Sequence, residues 1–493
     1  MPFVTGPLPQ RLKLVHGFGA VAFGVKDSGF SFFLLPFYNL VLGVDASPVG
    51  AALAAALVID ALVDPLIGHL SDRTYTKWGR RLPWLYLAPW PLALVWTMLW
   101  SPPFTGTPGF WDIVALAVGV RLLLSACEVP SVSLVPEITD DYDDRTTLFR
   151  YRFLSGWLGG LLMMVLTFTV FLPTPQSQLQ PEGYASYGLF GAALIALSVI
   201  GSAAAQHRIV AQLPERRPAP FSITGAFAEI FDAFREKAFV IFALGGLAAY
   251  VLQGMTFSIT QYVNLYVWQF SELAFQLYPA VLFLSVVLMF VIVGPLHRRW
   301  GKPKSAALGA LVGLAFYCSP YVFYLAGAWP TVGTTASTAL LYGFLVCANT
   351  ASVVAIISAT SMVAEIVEAF EERTGQRAEG TFYAGNWLVQ KCATGGGILL
   401  TSLIVQSIDL APGTPQAEVA PETVRQLVWL FMLAATVLAS IAAFWLARFP
   451  ISREQREARV AARRGPPAPP APATPDPLDQ AGRADPDAHT ITP

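Results

Sequence analysis

The chain has 493 residues, 55% of them hydrophobic and only 13% charged, about half the charged share of an ordinary soluble domain. Such a composition cannot cover a water-exposed surface, so the bilayer is the solvent and a soluble enzyme is excluded. The net charge of -1 hides a strong spatial bias and by itself says nothing about nucleic acid or acidic partners; no nucleic-acid partner is expected.

Apolar stretches of about 20 residues or more, each able to cross a hydrocarbon core, recur along almost the whole chain. They predict helices near residues 14–42, 48–71, 83–101, 110–137, 151–173 and 185–210, a first six-helix bundle within residues 1–210. The polar segment 211–237 reads as a central loop. Further helices are expected near 238–268, 275–297, 304–327, 332–366, 382–408 and 424–448, a second bundle within 238–449. Residues 450–493, rich in Pro, Ala and charge, cannot bury enough apolar surface to fold and read as a disordered tail.

Basic residues fall on alternate loops, at Arg11 and Lys13, Arg73 to Arg81, Arg145 and Arg150, Arg208 to Arg217, and Arg298 to Lys304. The positive-inside rule therefore places both termini in the cytoplasm, with no cleavable signal peptide ahead of the first helix. Tryptophans 268, 300, 329 and 445 read as an interfacial belt. The four cysteines lie inside apolar segments without CxxC spacing, which points to packing and away from a disulfide framework or a zinc site. No HExxH or GxSxG element is present, and no enzyme activity or cofactor is expected.

Loops GHLSDRTYTKWGRR (68–81) and GPLHRRWGKPK (294–304) follow the second and eighth helices, so the halves echo each other. Two parallel six-helix repeats are the plan of the major facilitator fold, an all-α membrane architecture with twelve helices in two pseudo-symmetric bundles and a solute site between them. Asp72, Arg73, Arg80 and Arg81 are expected to form a charge network that latches helices on the cytoplasmic side.

Ionisable residues at membrane depth are costly and mark function. Asp60 and Asp64 lie four residues apart, so both carboxylates project from one face of the second helix. Two anions that close require a cation or a proton, which makes the pair a candidate coupling site; the bland reading is an ion pair with a neighbouring helix. Glu128 sits mid-span with Ser125 three residues earlier on the same face. Lys26 and Asp27 lie inside the first helix, and Lys391 inside the eleventh. Arg152 opens the fifth helix, where snorkelling to the interface is the ordinary explanation.

The stretches FGVKDSGFS (23–31), DALVDPLIGHLSDRTYTKWGRRLPW (60–84), CEVPSVSLVPEIT (127–139), YRFLSGWLGG (151–160), MVAEIVE (362–368) and NWLVQKCATGGG (386–397) resemble the glycoside-pentoside-hexuronide:cation symporters of the major facilitator superfamily. The resemblance implies cation-coupled symport of a sugar, glycoside or uronide by alternating access, with H+ or Na+ as coupling ion and the carrier monomeric in a bacterial inner membrane. It implies a cation site at Asp60, Asp64 and Ser125, and solute and coupling positions at Lys26, Asp27, Glu128, Arg152, Trp387 and Lys391.

The chain departs from that pattern in several places. Val63 stands where an amide often lies between the aspartates, Glu128 replaces Asp, and Val132 and Ile356 stand at positions that hold aromatic residues in galactoside carriers. These departures weigh against a galactoside and toward proton coupling. The segment LAPWPLALVWTMLWSPPF (87–104) is similar to lysophospholipid carriers of the same pattern, which makes an amphiphilic solute the alternative.

Overall fold

The computed structural model describes residues 8–451 except 140, 212–224, 226–227, 229–230, 376–377, 409 and 416–417. The expected tail from residue 452 and most of the central loop lie outside the described residues. The first half contains α1 (Gln10–Val41), α2 (Ala46–Asp72), α3 (Leu82–Trp100), α4 (Phe110–Ile138), α5 (Asp143–Phe171) and α6 (Pro181–Val210). The second half opens with α7 (Lys237–Val267). It closes with α10 (Thr335–Thr374), α11 (Glu379–Ser407) and α12 (Pro421–Ala447).

Between α7 and α10 the helix Glu272–Leu325 is continuous except at Gly301, whose φ of 74° is the left-handed conformation that glycine adopts without a Cβ penalty. That break divides it into α8 (272–300) and α9 (302–325), each long enough to span. The described residues thus hold the twelve spans expected, and each is helical because lipid offers no partner for an exposed backbone group.

Two boundaries differ from expectation by about two turns. The helix of α5 begins at Tyr142, well before residue 151, because the Asp141 side chain accepts a hydrogen bond from the Asp144 backbone N–H and acidic residues fill the first turn. α10 runs past residue 366 to Thr374, where Gly375 in the left-handed conformation ends it. Trp268 is also a correction to the expected belt. It is buried at 3% exposure, and its ring packs against Trp329 and Tyr321 rather than facing a lipid boundary.

In the first half α1 packs on α5 and α6, and α2 on α4. In the second half α7 packs on α11 and α12. The α1–α5 contact explains the small residues of YRFLSGWLGG. A Cβ at Gly24 would lie 1.7 Å from the Gly156 carbonyl oxygen, so these backbones touch as membrane helices with small interfacial residues do.

The halves meet along α2 against α11 and α1 against α7. At the end opposite the basic loops the seam is sealed. Tyr262 Oη donates to Asn39 Oδ1 at 3.0 Å, the Phe32 and Phe257 rings stack at 4.9 Å, and Phe168 stacks on Phe275 at 5.2 Å. Gln178 and Gln261 are hydrogen-bonded there as well. The ends of α1 and α7 both unwind into single π turns, Phe37–Val41 and Val263–Val267, which contain Asn39 and Asn264.

Candidate functional site

The site is assembled mainly by α4. Arg121, Ser125 and Glu128 follow one another at intervals of four and three residues, so helical geometry lines them up on a single face, turned toward α2 and α1. Asp60, in the middle of α2, is 4% exposed and fully engaged. Ser125 Oγ donates to its Oδ1 at 2.9 Å, and Arg121 Nη1 donates to its Oδ2 at 2.9 Å.

Lys391 reaches across from α11. Its Nζ lies 3.0 Å from Asp60 Oδ2 and donates a hydrogen bond to Asp64 Oδ2, so one ammonium group ties both carboxylates of the first half to the second half. Asp64 Oδ1 is buried without a hydrogen-bond partner among the described residues. The expected grouping of Asp60, Asp64, Ser125 and Lys391 is therefore present, and the aspartates point into the seam between the bundles.

A second knot lies deeper in the first half. Arg152 donates to Ser131 Oγ at 2.6 Å and stands 3.8 Å from Glu128 Oε1. Arg152 is 6% exposed, which corrects the snorkelling explanation. The early start of α5 carries it inside the bundle, where its charge is met by Glu128. Lys26 is buried, 3.5 Å from Asp27 Oδ1 and 4.2 Å from the centre of the Phe23 ring. The Asp27 side chain is 55% exposed, and Glu128 and Arg152 line a cavity with Gly19, Phe23, Ser131 and Ser202.

Across both knots Lys26, Arg121, Arg152 and Lys391 stand against Asp27, Asp60, Asp64 and Glu128, so the charges balance. That balance is what makes so many ionised groups tolerable at membrane depth. Trp387 lies one turn before Lys391 on α11, is 55% exposed, and makes none of the hydrogen bonds or ion pairs of the cluster.

Arg121 was not among the expected site residues. The signal that singles out Glu128, a charge in the middle of the apolar run ALAVGVRLLLSACEVP, applies to it equally. Its guanidinium also sits 4.8 Å from the centre of the Phe30 ring. Ser131, the partner of Arg152, is a second omission. A serine in a membrane helix carries no distinguishing signal until its neighbour is known.

At the basic-loop end, Arg81 pairs with Asp72 and lies 2.9 Å from Glu137, while Arg80 lies 2.8 Å from the same Glu137 oxygen. This network ties α2 and the loop after it to the end of α4, with Ser71 accepting a further hydrogen bond from Arg81. Arg73 is a correction. It caps the end of α2, points into solvent and takes no part in the described network, whereas Glu137 is its centre. Within the second half, Lys302, just past the break at Gly301, lies 3.0 Å from Glu365.

The family model described as "MFS/sugar transport protein" matches residues 15–453. An uncharacterized symporter of Synechocystis sp. is 28% identical over 91% of this chain and 96% of its own length. A putative sulfoquinovose importer of Escherichia coli is 24% identical over 93% of this chain and 94% of its own. An isoprimeverose transporter of Lactiplantibacillus pentosus is 30% identical over 32% of this chain and 33% of its own. Among solved structures, the nucleoside transporter NupG superposes with a TM-score of 0.63 at 16% identity, covering 90% of this chain and all of that one, a likeness of fold. With nearly the whole folded chain matched by one model, the protein belongs to the MFS/sugar transport family of multi-pass membrane transporters.

Proposed function

We propose that this protein moves a sugar or glycoside across the membrane together with a coupling cation, by alternating access between its two halves. The observation that carries the reading is the bridge from Lys391 on α11 to Asp60 and Asp64 on α2. Rocking of the halves must stretch or remake this bridge, so any ion that changes the charge of the aspartates changes the balance between the two states. A ligand shifts such an equilibrium only through its differential affinity for them.

Glu128, Arg152, Lys26 and Asp27 provide the solute side of the site, with paired donors and acceptors of the kind hydroxyl groups can satisfy. The relatives named for isoprimeverose and sulfoquinovose support a sugar-like solute. With the basic loops facing the cytoplasm, as the positive-inside rule has it, the sealed end of the seam faces outward. Entry of one cation with a neutral solute across a potential of 100 mV supplies about 2.3 kcal/mol, enough for about 50-fold accumulation.

A thermal-shift screen of the purified carrier against sugars, glycosides, uronides and lysophospholipids, followed by proteoliposome uptake of the hits, tests the reading. Stabilisation and ion-driven uptake of a glycoside or sugar is the expected result. Uptake of lysophospholipids alone would overturn it.

A further inference from the structure

We propose that Arg121 is a tethered cation that fills the place a free alkali cation would need beside Asp60, so that this carrier is indifferent to sodium and couples to protons. The inference rests on the reading of Asp60 and Asp64 as the coupling pair and goes further by fixing which ion the pair accepts.

A hard cation in a protein needs a shell of several oxygen ligands. Both oxygens of Asp60 are already engaged by the chain itself. Its Oδ1 holds Ser125 Oγ at 2.9 Å, and its Oδ2 holds Arg121 Nη1 at 2.9 Å and Lys391 Nζ at 3.0 Å. Val63, between the two aspartates, contributes no oxygen. Arg121 cannot deprotonate to make room, and it is fixed from the other side by the face of Phe30 at 4.8 Å.

A proton needs only one oxygen. Asp64 Oδ1 is buried and unpartnered, while Oδ2 is held by Lys391. A proton arriving from the aqueous side binds Oδ1, neutralises Asp64 and frees Lys391 Nζ from it, leaving Lys391 on Asp60 alone. Release of that proton on the other side restores the double bridge. Arg121 is thus a specificity-determining residue, and replacing it with a small side chain opens a site of two carboxylates and a hydroxyl to sodium.

The test compares unfolding temperatures of the full-length purified protein in sodium chloride and in choline chloride at equal ionic strength. Wild type is expected to show no difference, and Arg121→Ser a sodium-dependent rise of a few degrees, because an ion that binds only the folded state stabilises it. Sodium stabilisation of wild type, or a folded Arg121→Ser that remains blind to sodium, overturns the proposal. Should Arg121→Ser not fold, binding of radiolabelled sodium to wild type decides. None is expected, and one ion per chain contradicts the claim. Neither readout uses a solute, so failure to find a transported sugar bears on the symport reading and leaves the role of Arg121 standing.

Discussion

Lys391 on α11 and Asp64 on α2 are hydrogen-bonded across the seam between the two halves, and the same ammonium group also reaches Asp60. Two helices that must move relative to each other are thereby joined by charges sunk in the membrane. Removing one partner of an ion pair at membrane depth leaves the other uncompensated. Lys391→Ala is therefore expected to lower the unfolding temperature of the purified carrier, and Asp64→Asn added to it is expected to restore part of the loss. Strict additivity of the two substitutions in thermal unfolding would contradict the pairing.

Arg152 and Glu128 face a common cavity, and Arg152 is also tied to Ser131. Arg152→Gln leaves the half-buried Glu128 without its nearest countercharge. Loss of solute binding by at least tenfold, equivalent to about 1.4 kcal/mol, is expected in both directions of transport. Equal affinity of variant and wild type in solute-dependent thermal shifts would remove Arg152 from the site.

Gly50 faces Ser402 at the sealed end, where a Cβ would lie 2.0 Å from the Ser402 hydroxyl oxygen and 2.3 Å from its Cβ. A larger residue there opposes closure of the seam without touching the charged cluster. Gly50→Leu is expected to shift the population toward the state open at that end, read as severalfold faster labelling, by a membrane-impermeant thiol reagent, of a cysteine placed at Tyr262, which is fully buried in the sealed seam. Unchanged labelling would mean that the contact does not govern closure.

Arg80 and Arg81 converge on Glu137 at the basic-loop end, so one carboxylate holds two guanidinium groups. Glu137→Gln should loosen the end of α2 and lower the transport rate while solute affinity is retained, since the solute knot lies elsewhere. The same substitution with an unchanged uptake rate would show that the network is only a structural tie.

The twelve spans were legible because each is a long apolar run, and Asp60 and Asp64 stood out because their spacing puts two costly carboxylates on one helix face. Their partners were harder to read. Lys391 lies 327 residues from Asp64 in sequence, and only the docking of α2 on α11 brings them together. Arg121 and Ser131 belong to α4, whose face toward α2 and α5 is fixed by packing rather than by any local pattern. A fifth helix beginning near residue 151 leaves Arg152 at the interface, and the extra turns capped by Asp141 place it inside instead. The π turns of α1 and α7 have no simple sequence rule, yet they set Asn39 where Tyr262 can reach it.

The central claim is that an ion visiting the carboxylates of α2 drives the solute. The most direct measurement reconstitutes Asp64→Asn in proteoliposomes and compares solute exchange at equal concentrations with uptake against a gradient. Exchange is expected to persist while ion-driven accumulation falls to the equilibrium level. Accumulation equal to that of wild type would contradict the account.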